Sequence, residues 1–273
     1  MKYLQYPYEG TCNTILKLSK TLKRPMFYFI IAIPFLLVIL RLLLTNIVVP
    51  HFKKKEQIKQ LSQRADWPSI EEKTDILEAV YKKVHAKSSS IRYRFLHLIQ
   101  NKEFIYGEID FLSFYTILER TSPSTKDVFY DLGSGSGRAV LSAIVFFNVR
   151  KAIGIELLPP LYEQSKKTIQ RFKQDNAEKE YLPQIERTQF INDSFLHYDF
   201  SDADIVYVAA TCLSDTSWND LISKMARLKP GSRIIVTTKT IEHEQFESIY
   251  QSVELMSWGL CPIRVYKIKQ VPV

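Results

Sequence analysis

From Trp67 onward the chain is patterned first as helices and then as alternating strands and helices. Ile70, Ile76, Leu77, Val80 and Tyr81 recur three and four positions apart, the spacing of one helix face. Ser88, Ser89 and Ser90 are expected to break this run, and Ile91 to open a second helix carrying Phe95, Leu96 and Ile99. A third apolar helix is expected over 111–118, stopped by Pro123. Short apolar runs then predict strands at 127–132, 151–156, 187–192, 204–210 and 233–239. Helices are expected between them at 138–148, 160–179, 215–228 and 241–250, and a closing antiparallel hairpin near 252–258 and 262–269, with Gly259 in its turn. Alternation of this kind implies an α/β fold on a mainly parallel sheet of seven strands.

Upstream, Met26 to Val49 is apolar apart from Arg41, Thr45 and Asn46. As one helix it would extend about 36 Å, enough for a hydrocarbon core of about 30 Å, and proline at position 34 is tolerated in such helices. A single transmembrane helix over 26–49 is therefore expected. It would follow a basic tail (1–25) and precede a charged linker (50–64), a helical segment (65–125) and the α/β domain (126–273).

Charge sharpens this picture. The net charge of +8 suggests a nucleic-acid partner until it is located. Residues 1–64 hold eleven Lys and Arg against Glu9 and Glu56, whereas residues 65–273 carry a net charge of −1. The basic clusters flank the apolar run, as suits anionic headgroups, and the α/β part has no overall field for a phosphate backbone. Direct nucleic-acid binding is thus not expected. Cys12, Cys212 and Cys261 give neither a disulfide framework nor a metal knuckle, and the five histidines show no metal spacing.

The chemistry lies at the end of the first predicted strand: Phe129-Tyr130-Asp131-Leu132-Gly133-Ser134-Gly135-Ser136-Gly137-Arg138. A second strand ends in Gly154-Ile155-Glu156-Leu157. A dinucleotide fingerprint would need glycine at 138, where arginine stands. The spacing instead resembles motif I of class I S-adenosylmethionine methyltransferases, a Rossmann-like fold with a terminal hairpin. That resemblance covers roughly 105–273. It implies that Asp131 serves the amino-acid end of the cofactor, and that Gly133, Ser134, Gly135 and Gly137 let the backbone approach it. It also implies that Glu156, followed by Leu157, accepts the ribose hydroxyls. After the third strand, Asp193 would reach the adenine amino group and Phe195 would pack on the ring, although Asp is also favoured in plain turns.

Upstream, Tyr106-Gly107-Glu108, read with the glycine turn and Gly-Ile-Glu-Leu, resembles the disruptor-of-telomeric-silencing (DOT-type) family of histone-lysine methyltransferases. By that resemblance Tyr106, Gly107 and Glu108 line the cofactor site, in a loop that closes over its methionine end. Read locally, Gly107 could equally turn the chain into a helix that welcomes Glu108 and Asp110. The chain departs from the family after the fourth strand, where Ala209 and Ala210 stand in place of two asparagines, with Ala210 against the cofactor. No residue stands out as a general base. The expectation is a membrane-anchored methyltransferase of a protein amine, lysine by resemblance, with its catalytic part facing the cytosol or an equivalent compartment holding the cofactor. The alternatives are an enzyme acting on a small molecule, a lipid or a membrane-protein lysine, and a non-catalytic cofactor-binding module.

Overall fold

A computed structural model of the protein describes residues 24–176, 182–257 and 259–270. The expected basic tail, with Lys17, Lys20, Lys23 and Cys12, lies outside them apart from its last two residues. The chain divides into two units, at Phe52 and Lys53.

In the first unit the expected single helix over 26–49 is not continuous. Helix α1 (Arg24–Leu43) contains Pro34, which removes one backbone donor. A π-helical turn occupies Leu44–Val48, and α2 (Val49–Leu61) begins beyond it. Among the described residues no helix is long and apolar enough to cross a membrane. The predicted transmembrane anchor is corrected accordingly. Regular α geometry stops at Leu43, six positions short of the predicted end.

The linker expected over 50–64 is also ordered, as the body of α2. Its basic residues are partly engaged within the second unit. Lys54 Nζ lies 2.9 Å from Asp110 Oδ2, Lys53 lies 3.8 Å from Glu254, and Arg64 pairs with Asp66 and Glu119.

The second unit continues with α3 (Trp67–Tyr81), α4 (Ala86–Leu96), a 3-10 turn (Lys102–Phe104) and α5 (Phe111–Glu119). Then follow β1 (Val128–Leu132), α6 (Arg138–Phe147), β2 (Lys151–Ile155), α7 (Pro159–Asp175), α8 (Leu182–Ile185) and β3 (Thr188–Ile191). The chain closes with β4 (Ile205–Val208), a 3-10 turn (Ala210–Cys212), α9 (Asp215–Met225), β5 (Arg233–Thr237), β6 (Phe246–Met256) and β7 (Gly259–Ile268). The sheet order is β3-β2-β1-β4-β5-β7-β6, parallel except for β7, which lies antiparallel between β5 and β6.

Strand alternation divides the core between the two faces of the sheet. Phe129 and Tyr207 pack with Phe114 of α5 on one face, at ring separations of 6.0 and 5.3 Å. Tyr130, Val206 and Val236 pack with Leu221 and Met225 of α9 on the other. Both faces are covered, which is why the strands read as continuous apolar runs.

Two elements differ from expectation. The three serines do not break a helix; the break is at Lys82–His85, and the serines lie inside α4. Serine costs a helix only a few tenths of a kcal/mol, and buried Ala86 and Ser90 let α4 approach α7 closely. The helix expected over 241–250 is absent, because β6 starts at Phe246 and pairs along its length with β7, overriding a weak local preference.

Candidate functional site

β1 ends in Asp131 and Leu132, and the chain turns at Gly133, Gly135 and Gly137, all with positive φ, before α6 begins. β1 is flanked by β2 and β4, the point where strand order reverses and where open α/β sheets bind ligands. A cavity of about 360 Å³ lies there. It is lined by Leu132, Gly133, Glu156, Leu157 and Leu158 at one wall, Ser194, Phe195 and Leu196 at another, and Val208, Ala209 and Thr211 to Leu213 opposite. Segment 103–107 runs across it as a strap.

Glu156 is 7% exposed and tied at both oxygens: Oε2 accepts from the Gly135 N–H and Oε1 from the Leu158 N–H, each at 2.8 Å. Burial raises its pKa, and the backbone donors offset this in part. Asp131 is buried beneath the turn, with its pKa raised well above the ordinary carboxylate value by desolvation first and then by Glu156. The two carboxylates lie close enough to interact, and among the described residues no Lys or Arg lines the cavity.

The strap is held at both ends. The Tyr106 hydroxyl donates to Glu108 Oε1 at 2.8 Å, so the 2.7 Å contact with Ser136 Oγ has serine as donor. Burial raises the Tyr106 pKa well above its usual value, with Glu108 adding to the effect. Arg138 explains its presence in the glycine turn. Its guanidinium lies 3.8 Å over the Phe111 ring and 5.0 Å from Tyr81, while Nε donates to Ile109 O and Nη1 lies 3.6 Å from Glu108. Glu108 O accepts the Ser257 N–H and the Glu108 N–H donates to Ser257 Oγ, fixing this end beside the end of β6. At the other end Glu103 Oε1 accepts the Ser214 N–H at 2.7 Å, just before α9, and these bonds lower its pKa.

Of the residues expected from the sequence, the cavity wall contains Tyr106, Gly107, Gly133, Glu156, Leu157 and Phe195. It does not contain Glu108, Asp131, Ser134, Gly135, Gly137, Asp193 or Ala210. The Tyr106 ring lies on Gly135 and separates it from the cavity. Gly137 abuts Phe190, which gives it a packing reason beside its φ. Ser134 Oγ is buried, lies toward Gly154, and finds no hydrogen-bond partner among the described residues. Asp193 Oδ1 turns back to accept its neighbour Ser194 N–H at 2.6 Å, the plain-turn alternative; Asn192 instead ties this loop to Glu156 O and Leu157 O. Ala210 is wholly buried, and the wall beside it comes from Ala209, Thr211 and Cys212.

The sequence did not reveal Thr211 as part of a hydroxyl chain. Its Oγ1 lies 2.8 Å from Thr238 Oγ1, which lies 3.1 Å from Cys261 Sγ. Thr238 has φ +65, a costly conformation for a β-branched residue. That strain was the only local signal, and it is invisible without coordinates.

The cavity's size is ordinary for a cofactor site. Glu156 in its wall and Asp131 buried beside it, neither with a basic partner, suit a nucleoside carrying positive charge and disfavour a phosphate-bearing dinucleotide. S-adenosylmethionine, with its sulfonium and ammonium groups, fits: Glu156 would hold the ribose and Asp131 the amino-acid end. Replacing Glu156 with alanine is expected to weaken S-adenosylmethionine binding by about 1.5–3 kcal/mol, the range for a lost charged hydrogen bond. Calorimetry showing unchanged affinity would remove Glu156 from the site.

Comparison with known proteins agrees with this geometry. The chain is 31% identical over 127 residues to a protein-lysine N-methyltransferase of Saccharolobus islandicus (strain REY15A), covering 44% of this chain and 66% of that protein. It is 28% identical over 153 residues to an H3 lysine-79-specific histone-lysine N-methyltransferase of Dictyostelium discoideum, covering 53% of this chain and 8% of that protein. A Caenorhabditis elegans protein of the same description is 26% identical over 155 residues, with 54% and 16% covered. The chain thus spans just under two thirds of the first relative and a small part of the others. The model of the family described as "Histone methylation protein DOT1" matches residues 82–259, from the end of α3 to the start of β7. That match covers most of the chain, including the strap, the glycine turn and Glu156, and the chain therefore belongs to the DOT1 histone methylation family, a class I fold that uses S-adenosylmethionine.

Proposed function

We propose that the protein is an S-adenosylmethionine-dependent methyltransferase acting on a protein amine, namely lysine. The observation that carries this reading is the pairing of buried Asp131 and Glu156 beside a cavity lined by no basic residue among those described. When bound, the cofactor supplies a methyl group on a sulfonium, already a good electrophile. The chain's own contribution is alignment and exclusion of water, which in favourable systems are worth about 7–11 kcal/mol. Glu156 and Asp131 would fix the two ends of the cofactor, and Phe195 would cover its ring.

A lysine must arrive neutral. The apolar wall of Phe104, Leu196 and Leu213 disfavours its charged form and so lowers its pKa. Thr211 follows Ala209 and Ala210, where amides were expected, and its hydroxyl can accept an N–H from the amine while the lone pair faces the methyl group. No side chain in the wall is placed as a general base, in keeping with a nucleophile that needs only to be desolvated. The proposed compartment is one that holds S-adenosylmethionine, such as the cytosol.

The test is incubation of the full chain with tritiated cofactor and separate pools of histones, membrane proteins and lipids. Label on lysine in a protein pool is expected. Label in lipid alone would overturn the lysine reading, and cofactor binding without label in any pool would favour a non-catalytic module.

A further inference from the structure

One surface beside the cavity is assembled against the usual economy of folding. The inner side of α4 packs on α7 through Ala86 and Ser90, while Ile91, Phe95 and Leu96 on its outer side stand in solvent. At the end of this helix Leu98 adopts the left-handed conformation, φ +52, and is 83% exposed. Glycine is the ordinary residue for such a helix end. A leucine there carries backbone strain and gains no burial. Local rules broken without a folding gain mark functional positions.

The charge around this surface has one sign. From Ala79 to Lys102 the sequence contains no acid. Lys87, Arg92 and Lys102 are exposed and, among the described residues, take part in no salt bridge. Nor is the surface remote from the site. Tyr93 of α4 packs in one cluster with Phe104 and Tyr106 of the strap, and Ile105, half exposed, also lines the cavity.

We propose that α4, Leu98 and the outer side of the strap form the docking surface for the acceptor polypeptide, a segment with apolar anchors flanked by acidic residues. This deepens, and rests on, the reading of the protein as a protein-lysine methyltransferase. The apolar row holds the segment, the basic residues select acidic flanks, and Ile105 marks where its lysine enters. A lipid surface would need only apolar exposure and basic charge. A leucine held at positive φ with its side chain in solvent is the mark of a shaped partner.

The test uses the full chain and two lysine-centred synthetic peptides, one with leucine and glutamate flanks and one with leucine and arginine flanks. Binding is read by fluorescence anisotropy with S-adenosylhomocysteine present, and methyl transfer separately. The acidic peptide is expected to bind at least tenfold more tightly than the basic one. Leu98→Gly and Phe95→Ser should each weaken that binding about tenfold, with cofactor affinity unchanged. Leu98→Gly should hold or raise the melting temperature, because glycine relieves the strain, so misfolding cannot account for its loss of binding. Equal binding of the two peptides, or variants that bind like the original chain, would overturn the proposal. So would variants that detach from phosphatidylserine vesicles yet keep peptide binding. Peptide that docks selectively but receives no methyl group would leave the surface standing and remove the lysine reading. Methylation with the same KM in the original chain and both variants would do the reverse.

Discussion

Asp131→Asn is expected to make the protein more stable at pH 8 and to weaken S-adenosylmethionine binding by one to two orders of magnitude. Both effects have one cause. Desolvation, and secondarily Glu156, raises the pKa of Asp131 in the folded chain above its unfolded value. The folded state therefore binds a proton more readily than the unfolded state across that interval. The stability this group contributes is present below the unfolded pKa, about 3.9, and is lost as pH rises through the folded pKa. Asparagine has the same shape and no charge to bury. Its melting temperature should therefore exceed that of the original chain by a margin that grows with pH and vanishes near pH 4. The cofactor's positive end loses a charged partner worth about 1.5–3 kcal/mol, which gives the drop in affinity. Thermal melts from pH 4 to 9, with calorimetry at pH 8, check both halves. A variant less stable than the original at pH 8 would mean that Asp131 is satisfied by structure and is not held for a ligand.

A second large effect is expected at Gly135. Gly135→Val should abolish measurable cofactor binding, but the structure changes the reason. The expected cause was a side chain intruding on the cofactor. In the fold, a Cβ at Gly135 meets the Tyr106 ring, with Cδ2 at 3.0 Å and Cε2 nearer still, and φ of +54 adds strain. The strain costs about 1–2 kcal/mol and the overpacking about 1–3 kcal/mol. A double-mutant cycle separates the two. Gly135→Ala should destabilise the original chain by both amounts, and a Tyr106→Ala background by the strain alone. Equal costs in the two backgrounds would show that the tyrosine is not what the glycine accommodates. Full cofactor affinity in Gly135→Val would dismantle the site assignment.

The sheet and its cofactor corner were legible because their residues satisfy local rules and global needs together. Val128 to Leu132 is an apolar run ending in a turn that only glycines make easily, and Glu156 ends the next strand. What escaped depends on partners distant in sequence. The charged stretch after Val49 looked like a linker because nothing local shows that Lys54 meets Asp110 or that Leu61 is buried. Residues 246–250 looked helical because the β7 pairing that makes them a strand begins at Gly259. The apolar stretch 26–49 satisfied a length criterion that the turn at Leu44–Val48 interrupts. In the site, Arg138 was read only as an absent glycine, whereas its work is to hold Glu108 and Ile109 across thirty positions. Glu103, Thr211 and Cys212 have no motif and owe their place to the strap and the turn after β4.

The strap has a consequence for how the two ligands affect each other. Its short span is fastened to the glycine turn through Tyr106 and to the start of α9 through Glu103. The first fastening lies against Gly135 of the glycine turn, and the second at the start of α9, beside the wall where the proposed acceptor would enter. A ligand that displaced Tyr106 from Gly135 would pull on Glu103 as well, because the two fastenings share one short segment. Any change in the free energy of occupying the other side would then be reciprocal. An acceptor that moved the strap would change the grip on the cofactor by the same factor as the cofactor changes the grip on the acceptor.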